Sequence, residues 1–281
     1  MPTLSGAVRI LRNMTGNAAK ALRTRALKLL PARDDEDWND YRRNYEQDLV
    51  EVARLHTQRL HEGDYAWDGG KLCVRPELKP LHPNCAALYE TVAALKAESA
   101  LEVGCGGGDH LHNLSVLLPQ LALRGIDVSP GQLDLLCERS PEVAGLASFA
   151  DVTNKTLPFP PDSFDVVYSQ AVIMHIQRRG AHLRALENMF TTARKHVVLM
   201  ENWARHWFMD DIIELQYRGR IAWPSLHLYF RRYDGRPIIM VASRDPRLPF
   251  EHLTDYATLL DANGWRPPPT FKMPPRPRRR V

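Results

Sequence analysis

The sequence lacks several features that would place it in a special class of protein. It has no apolar run near the roughly 20 residues that a membrane-spanning helix needs. Its four cysteines form no CxxC pair and no Cys/His set at zinc spacing, which predicts reduced thiols in a cytoplasmic setting and no metal site. Its 281 residues, 44% hydrophobic and 25% charged, are enough for a globular protein with a full core.

Acidic residues are absent from both ends of the chain. Residues 1–33 and 272–281 together hold twelve of the 37 Lys and Arg and no Asp or Glu. Residues 34–271 therefore carry 25 basic against 33 acidic residues, a net charge of −8, although the whole chain has +4. An enzyme that follows a phosphate backbone should be basic across its catalytic face, so a nucleic-acid partner is disfavoured.

The basic N-terminal arm, residues 1–33, supports three interpretations. Its apolar residues recur loosely at helical spacing, which is typical of an amphipathic helix on an anionic membrane surface. An Arg-rich segment without acids also resembles an organelle transit peptide, whereas Pro2 and the short apolar runs do not fit a secretory signal. The third interpretation is a frayed or disordered arm. We expect a cytoplasmic protein, with peripheral membrane contact as an option, and a disordered basic tail at 267–281.

Residues 34–82 are predicted to form a helical cap over a ligand site. Apolar residues recur at three-to-four spacing over 38–62, which indicates a helix, and Gly and Pro in 63–82 indicate a loop. The alternative is a helix that packs on the domain without touching a ligand.

Residues 83–266 alternate between helical and strand patterns. Apolar strands are predicted at 100–103, 123–128, 147–152, 164–169 and 196–200, with amphipathic helices between them. This alternation predicts a Rossmann-like, doubly wound α/β domain with a mostly parallel sheet. In such sheets a ligand binds beyond the carboxyl ends of the strands.

A glycine-rich loop follows the first of these strands and reads Glu102-Val103-Gly104-Cys105-Gly106-Gly107-Gly108. Glycine allows a backbone to approach a ligand where a Cβ would clash. A dinucleotide-binding loop would read GxGxxG, but Asp109 stands at its last position, and an acid precedes the first glycine. The loop alone is a weak signal of cofactor binding.

Five segments together resemble class I S-adenosylmethionine-dependent methyltransferases of the ubiquinone/menaquinone type. They are Leu101–Gly108, Gly125–Ser129, Phe149–Val152, Leu157–Val167 and Ala171–Ile176. The resemblance implies a seven-stranded sheet and S-adenosyl-L-methionine as cofactor.

The resemblance also implies roles for single residues. Glu102 would orient the amino group of the cofactor, Asp127 would accept from both ribose hydroxyls, and Asp151 would read the exocyclic amine of adenine. The backbone N–H of Val152 would reach a ring nitrogen. The expected cofactor site is completed by Gly104, Cys105, Gly106, Val128 and Ser169.

His175 is the candidate general base, because it follows the fourth predicted strand close to the expected methyl position. The alternative is a histidine that packs or only supports the site, and a role at the cofactor edge or on the surface is expected for His110. Acceptor contacts are expected from the aromatic-rich segment 201–243, at Trp203, His206, Trp207 and Tyr229. These aromatic residues could equally serve the core.

A hairpin is predicted around Asp234-Gly235, with strands at 226–233 and 236–243. It either supplies strands six and seven of the sheet or is an insertion, and we slightly favour an insertion. The sequence as a whole predicts methyl transfer to an O or N acceptor on a small molecule or glycan. A non-catalytic methyltransferase-like binding or regulatory module is the alternative.

Overall fold

The structure is a computed structural model, which describes residues 58–261 except 177, 179, 234 and 235. The predicted basic arm at 1–33, most of the predicted helix at 38–62 and the basic tail at 267–281 lie outside the described residues.

An eight-stranded sheet forms the centre of the described domain. Its strands are β3 (Ser99–Val103), β4 (Ala122–Asp127), β5 (Ala147–Phe149), β6 (Phe164–Gln170), β7 (Ala193–Met200), β8 (His227–Tyr233), β9 (Arg236–Ser243) and β10 (Glu251–His252). They are ordered β10-β8-β9-β7-β6-β3-β4-β5. The expected mostly parallel α/β sheet is confirmed, with eight strands rather than seven because the two-residue β10 extends one edge.

The five strands β5, β4, β3, β6 and β7 are parallel. Strand β6 has only buried residues from Phe164 to Ser169, as expected for a strand covered on both faces. The chain runs outward from β3 to β5 on one side and restarts at β6 on the other. This switch in direction lies between β3 and β6, so the carboxyl ends of these two strands flank the crevice in which such sheets bind ligands.

The β8–β9 hairpin corrects the prediction of an insertion. Strand β9 pairs antiparallel with β7, from His196 with Ser243 to Leu199 with Met240, and β8 pairs antiparallel with β9. The hairpin therefore supplies the sixth and seventh strands. Its apolar residues Ile239, Met240 and Val241 are fully buried, which is the physical reason that it joins the sheet instead of standing apart.

Six α-helices connect or cover the strands of the described part. They are α1 (Pro83–Ala94), α2 (Asp109–Leu117), α3 (Pro130–Arg139), α4 (Ala181–Thr192), α5 (Phe208–Tyr217) and α6 (Ala257–Asp261), and 3₁₀ turns cover Ala144–Leu146 and Ile173–His175. Local signals explain two of the starts. Ser129 accepts a hydrogen bond from the Gln132 N–H ahead of α3, which begins with a proline, and Gly108 starts α2 from a left-handed conformation.

Two apolar clusters cover the two faces of the sheet. One joins helices α4 and α5 and the segment after β7 to residues such as Val103, Val167 and Leu199. The other joins α1 and α2 to Ala100, Tyr168 and Val198. Neighbouring residues of one strand belong to opposite clusters, as the alternation of side chains along a strand requires.

The part of the predicted cap at 63–82, for which a loop was predicted, contains a β-hairpin. Residues 65–74 form a two-stranded hairpin of β1 (Tyr65–Asp68) and β2 (Lys71–Val74). It is held to the helices by the Tyr65 hydroxyl, which donates to the Val116 carbonyl at 2.8 Å. Exposed and half-buried residues alternate along both strands. The sequence signal for this hairpin is two short strand patterns on either side of Gly69 and Gly70, but the two glycines by themselves indicate a loop.

Residue Leu60, just before this hairpin, is fully buried against α2. Its N–H donates to Asn113 at 2.9 Å, and its carbonyl oxygen lies 3.0 Å from the His112 Nε2. The chain entering the domain is thereby fixed near the helix that follows the glycine loop. No helix within residues 58–261, as described, is long and apolar enough to cross a membrane.

Candidate cofactor and active site

The predicted site residues lie at the carboxyl ends of the parallel strands. Glu102 is near the end of β3, Asp127 ends β4, Asp151 follows β5, and Ser169 lies near the end of β6. Because these ends share one edge of the sheet, the fold brings the predicted cofactor residues to one side of the domain. Within the described residues, no group of three His, Cys, Asp or Glu is placed to hold a metal ion.

The glycine loop closes onto the next strand and onto the turn after β6. The N–H groups of Gly104 and Cys105 both donate to the Ile126 carbonyl, at 2.8 and 3.0 Å. Gly104 has a φ of +75°, and an added Cβ there would lie 2.4 Å from a methyl carbon of Val172. Glycine at 104 is therefore required by protein packing, independently of any ligand.

Cys105 points into the core beneath the loop rather than toward a ligand. It is 5% exposed and belongs to the cluster under α1 and α2. A Cβ added at Gly125 would lie 2.9 Å from its Sγ, so Gly125 leaves space for this thiol. Burial raises the pKa of Cys105 well above its usual range, which leaves an unreactive thiol and only its backbone for a cofactor contact.

Asp127 holds the loop in place. Its Oδ2 accepts the Gly106 N–H at 2.9 Å, and its Oδ1 accepts the Ser129 N–H at 2.8 Å. Burial raises its pKa, while these backbone N–H groups act in the opposite direction. Each carboxylate oxygen can accept a further bond, so the ribose contact expected of Asp127 is compatible with its structural role.

Apolar side chains are exposed beside Asp127. Val128 is 48% exposed and Phe149, which pairs with Asp127 in the β4–β5 ladder, is 61% exposed. Asp151 accepts from the N–H and the hydroxyl of Thr153 through its Oδ1, both at 2.7 Å. The side chain of Val152 is buried in the core, so a ligand contact there would use its backbone.

Glu102 carries a buried oxygen that no neighbour satisfies. The residue is 2% exposed, and within the described residues its Oε2 has no hydrogen-bond partner. Burial raises the pKa of Glu102 well above its usual range. The Tyr168 hydroxyl, which faces this carboxyl, acts on the pKa in the opposite direction. The two groups nevertheless do not meet regular hydrogen-bond geometry. A buried acceptor without a partner is costly, so this position fits a ligand that supplies a donor.

The turn after β6 is organised by Glu201, a residue that the sequence analysis did not select. Glu201 follows β7, is 7% exposed, and accepts the Ser169 hydroxyl at 2.8 Å. It also accepts the backbone N–H groups of Val172, Ile173 and Met174 at 3.3, 3.2 and 3.0 Å. A carboxylate directly after the buried run Val197–Met200 was the available signal.

His206 holds the same turn from its other side. Its Nε2 lies 3.2 Å from the Ile173 carbonyl, and its ring stacks on His182 with centroids 4.0 Å apart. Burial lowers the pKa of His206 to about 4, with His182 acting in the same direction, which keeps the ring neutral near pH 7. His175, at the end of this turn, is half-buried, and its backbone N–H donates to Val172 at 3.0 Å.

The predicted acceptor residues are not gathered into one surface. Trp203 is 1% exposed in the cluster under α4 and α5, whereas Tyr229 is fully buried in the cluster on the opposite face. The Tyr229 hydroxyl is occupied by the Asp245 carbonyl at 2.9 Å. Trp207 is half-buried and packs against Tyr256, with ring centroids 5.4 Å apart. Trp203 and Tyr229 are thus core residues, because the segment after β7 and the hairpin both join the fold.

Two further polar residues have structural partners. His110 Nδ1 lies 2.9 Å from the Tyr89 hydroxyl, a contact that the expected cofactor-edge or surface role did not include. Arg231 donates to Glu90, and to Thr91 at 3.0 Å, which fixes β8 to α1.

Residues 101–196 match the family model described as "Methyltransferase domain". The matched range contains the glycine loop, Asp127, Asp151 and His175. The match supports the predicted resemblance to class I, S-adenosylmethionine-dependent methyltransferases over this part of the chain. Glu201 and His206 lie beyond the matched range of this domain.

A sequence relative of the methyltransferase domain is phosphoethanolamine N-methyltransferase 1 of Arabidopsis thaliana, 32% identical over 88 residues. The match covers 31% of this chain and 18% of that protein, so the chain spans less than a fifth of the relative's length.

Solved structures of methyltransferases are also similar to this chain. A TehB-like SAM-dependent methyltransferase from Corynebacterium glutamicum is 20% identical, with a TM-score of 0.44 over 62% of this chain and 90% of the other. The N-methyltransferase NodS from Bradyrhizobium japonicum, in complex with S-adenosyl-L-homocysteine, is 18% identical, with a TM-score of 0.41 over 57% and 87%.

Proposed function

We propose that this chain is an enzyme that binds S-adenosyl-L-methionine at the carboxyl edge of β3, β4 and β5. It would transfer the methyl group to an oxygen or nitrogen of a small molecule or glycan. The observation that carries the proposal is the buried, unsatisfied Oε2 of Glu102, which lies one strand away from Asp127 at the same edge. Glu102 is an acceptor suited to the amino-acid end of such a cofactor, and Asp127 is an acceptor suited to its ribose.

The residues present fit this cofactor along its whole length. Glu102 offers an acceptor for the amino group, and Asp127 retains acceptor capacity for ribose hydroxyls. Val128, exposed beside Asp127, offers apolar surface for a flat base. Asp151 would read the base edge through the oxygen that Thr153 leaves open, with the Val152 backbone beside it.

The bound cofactor would supply an activated methyl group on a sulfonium. The chain's own contribution is then to place an acceptor in line with that group and to exclude water. The turn after β6 suits this task because Glu201 and His206 fix it and Val172 seats it on the glycine loop. His175 ends this turn and is the proposed base for a hydroxyl or ammonium acceptor.

Glu201 would act as a positioning residue for that turn. Burial raises the pKa of Glu201 to about 7, while the backbone N–H groups of the turn act in the opposite direction. The ionised carboxylate accepts all four of the observed hydrogen bonds, whereas protonation converts one oxygen into a donor. The turn is therefore expected to be best fixed above pH 7.

The acceptor side of the proposed site rests on fewer residues than the sequence suggested. Trp207 keeps partial exposure, and the amphipathic ring of a tryptophan suits an aromatic molecule or a sugar ring.

The basic arm at 1–33 remains a proposed contact for an anionic membrane surface, in a cytoplasmic protein. A nucleic-acid acceptor remains disfavoured by the acidic charge of residues 34–271.

The test is formation of S-adenosylhomocysteine from S-adenosylmethionine in the presence of an acceptor panel. The panel should contain phenols, monosaccharides, amino sugars and simple amines, with phosphoethanolamine among the amines. We expect product above the no-acceptor background with at least one member, and a loss of at least about 100-fold for His175→Ala, the range for a general base. His252→Ala, an exposed histidine on the edge strand β10, is the matched control and should retain activity.

The alternative function, a non-catalytic binding or regulatory module, has its own outcome in this test. Cofactor binding without turnover on any acceptor would favour that module. Full activity of His175→Ala would remove His175 as the base while leaving the enzyme proposal intact.

A further inference from the structure

The turn that follows β5 is closed by its own hydrogen bonds. In residues 151–154, the base turn, the Asn154 N–H donates to the Asp151 carbonyl at 3.0 Å. The Asp151 Oδ1 accepts both the N–H and the hydroxyl of Thr153, at 2.7 Å each. In the proposed cofactor site this turn supplies two groups to the edge of the base, the Asp151 Oδ2 and the Val152 N–H.

One buried side chain from a distant part of the chain holds the base turn. Asn188 lies on α4 and is 6% exposed. Its side-chain amide donates to the Val152 carbonyl at 2.7 Å and to the Asn154 carbonyl at 2.9 Å. A side-chain amide has two N–H donors, so both bonds form at once. The next buried residues of α4, Met189 and Phe190, are apolar, and an asparagine beside them is tolerated because it is hydrogen-bonded.

These bonds fix the peptide group between Val152 and Thr153 at both of its ends. Its carbonyl accepts from Asn188, and its N–H donates to the Asp151 Oδ1. The peptide group is planar, so a rotation that breaks one of these bonds also breaks the other. Asn188 thereby orients the Asp151 carboxylate through the backbone.

A second contact to the base turn comes from the segment after His175. The Arg178 Nη2 donates to the Thr153 Oγ1 at 3.1 Å, in an exposed position. An exposed hydrogen bond competes with water and contributes little, whereas removing the partner of a buried group carries the full cost of its desolvation. Asn188 is therefore the stronger constraint on the base turn.

The base turn is matched to one base edge and opposed to another. It offers the base an acceptor, the Asp151 Oδ2, and a donor, the Val152 N–H. Adenine presents the complementary pair, an amino donor at N6 and an acceptor at N1. Hypoxanthine presents the reverse pair, an acceptor at O6 and a donor at N1, so neither hydrogen bond forms. A site discriminates in this way only while its own donors and acceptors are held in place.

We infer that Asn188 is a positioning residue that sets the specificity of the cofactor site for adenine. The inference rests on the proposed cofactor site and adds to it a residue from α4, outside the glycine loop and the strand ends. Without Asn188 the Val152–Thr153 peptide and the Asp151 carboxylate are less restrained, so adenine is bound less tightly and hypoxanthine is penalised less. The discrimination between the two bases, rather than affinity as such, is the property that Asn188 controls.

The test compares calorimetric affinities for S-adenosylhomocysteine and for S-inosylhomocysteine, its deamination product, which carries hypoxanthine in place of adenine. The two ligands share the ribose and the amino-acid end, so the ratio of their dissociation constants reports the base contacts alone. Asn188→Leu removes both donors and keeps a similar volume. Asn113→Leu is the matched control, because Asn113 is 1% exposed and its amide donates to the Gln58 carbonyl and the Tyr89 hydroxyl, both at 2.9 Å.

We expect the wild-type protein to bind S-adenosylhomocysteine roughly 10- to 100-fold more tightly than S-inosylhomocysteine, the range for hydrogen-bonding groups left unpaired. In Asn188→Leu this ratio should fall at least about fivefold, mainly because S-adenosylhomocysteine binds less tightly. In Asn113→Leu the ratio should stay within about twofold of the wild-type value, although the loss of buried hydrogen bonds destabilises that protein as well. Asn188→Asp keeps the shape and has at most one donor, so it should lower the ratio at least about threefold.

An unchanged ratio in Asn188→Leu, or an equal fall in Asn113→Leu, would overturn the inference. So would equal affinities of the wild-type protein for the two ligands. Failure of both ligands to bind the wild-type protein would instead contradict the proposed cofactor site, so the two proposals fail in different ways. If Asn188→Leu does not fold, the ratio in Asn188→Asp decides the matter.

Discussion

The contact between the glycine loop and the turn after β6 can be tested by Gly104→Ala. An alanine Cβ at this position would lie 2.4 and 2.8 Å from the two methyl carbons of Val172. The backbone is also in the left-handed region, at φ +75°. The substitution therefore combines conformational strain with overpacking at the point where the cofactor loop meets the turn that carries His175.

The magnitude follows from these two contributions. A residue with a Cβ in the left-handed region costs about 1–2 kcal/mol, and an overpacked contact adds about 1–3 kcal/mol. We therefore expect Gly104→Ala to lower the free energy of unfolding by about 2–5 kcal/mol. Because a domain has only about 5–15 kcal/mol in total, this is a large effect.

Two other glycines of the chain separate the contributions. Gly219 has φ +70° and open space around it, so Gly219→Ala should cost about 1–2 kcal/mol from strain alone. Gly145 has neither strain nor a neighbour, and Gly145→Ala should be neutral or stabilise by up to about 1 kcal/mol. In a Val172→Ala background, which removes both methyl carbons but keeps the Cβ at 3.2 Å, the cost of Gly104→Ala should fall close to that of Gly219→Ala.

Urea unfolding of these variants, followed by far-UV circular dichroism, is the assay. A cost for Gly104→Ala equal to that of Gly219→Ala in the wild-type background would refute the contact with Val172. So would a cost that does not change when Val172 is shortened, since the double-mutant cycle isolates the pairwise interaction.

Three further predictions concern polar residues. Asp127→Ala should weaken S-adenosylhomocysteine binding by about 1–3 kcal/mol, whereas substitution of the exposed Asp134 by alanine should not weaken it. Equal affinities of the two variants in calorimetry would exclude the ribose contact of Asp127. Glu201→Gln should speed hydrogen exchange of the backbone amides in the turn after β6 about tenfold or more, because each amide loses a charge-assisted hydrogen bond. Unchanged protection of these amides would contradict the positioning role of Glu201. Arg231→Met should cost about 3–5 kcal/mol because it removes the cation that is paired with the buried Glu90 carboxylate. Arg232→Met removes an exposed pair with Glu251 and a cation–π contact with Phe230, and should cost about 1 kcal/mol or less in the same urea assay.

The parallel half of the sheet was predictable because its strands are short apolar runs between turn signals. The buried run of β6 and the glycines after β3 carry strong local patterns. The placement of the β8–β9 hairpin was not predictable in the same way. Whether a hairpin joins a sheet or stands apart depends on its pairing with β7, which is a nonlocal contact. The sequence pattern of its strands is the same in both cases.

The candidate site was likewise predictable where local patterns decide and not where nonlocal contacts decide. Glu102 and Asp127 lie at the carboxyl ends of their strands and Asp151 lies just beyond one, so their arrival at one edge follows from the topology alone. Trp203 and Tyr229 were misplaced because aromatic composition does not distinguish a ligand surface from a core. The role of Glu201 depends on three backbone N–H groups of a turn 27 to 29 positions earlier, which no local pattern displays.

Calorimetric titration of the full chain with S-adenosyl-L-methionine tests the central claim most directly, because it requires no knowledge of the acceptor. We predict saturable binding of one molecule per chain, weakened by Asp127→Ala and unaffected by Asp134→Ala. Absence of binding at high micromolar cofactor would contradict the assignment of Glu102, Asp127 and Asp151 to a cofactor site.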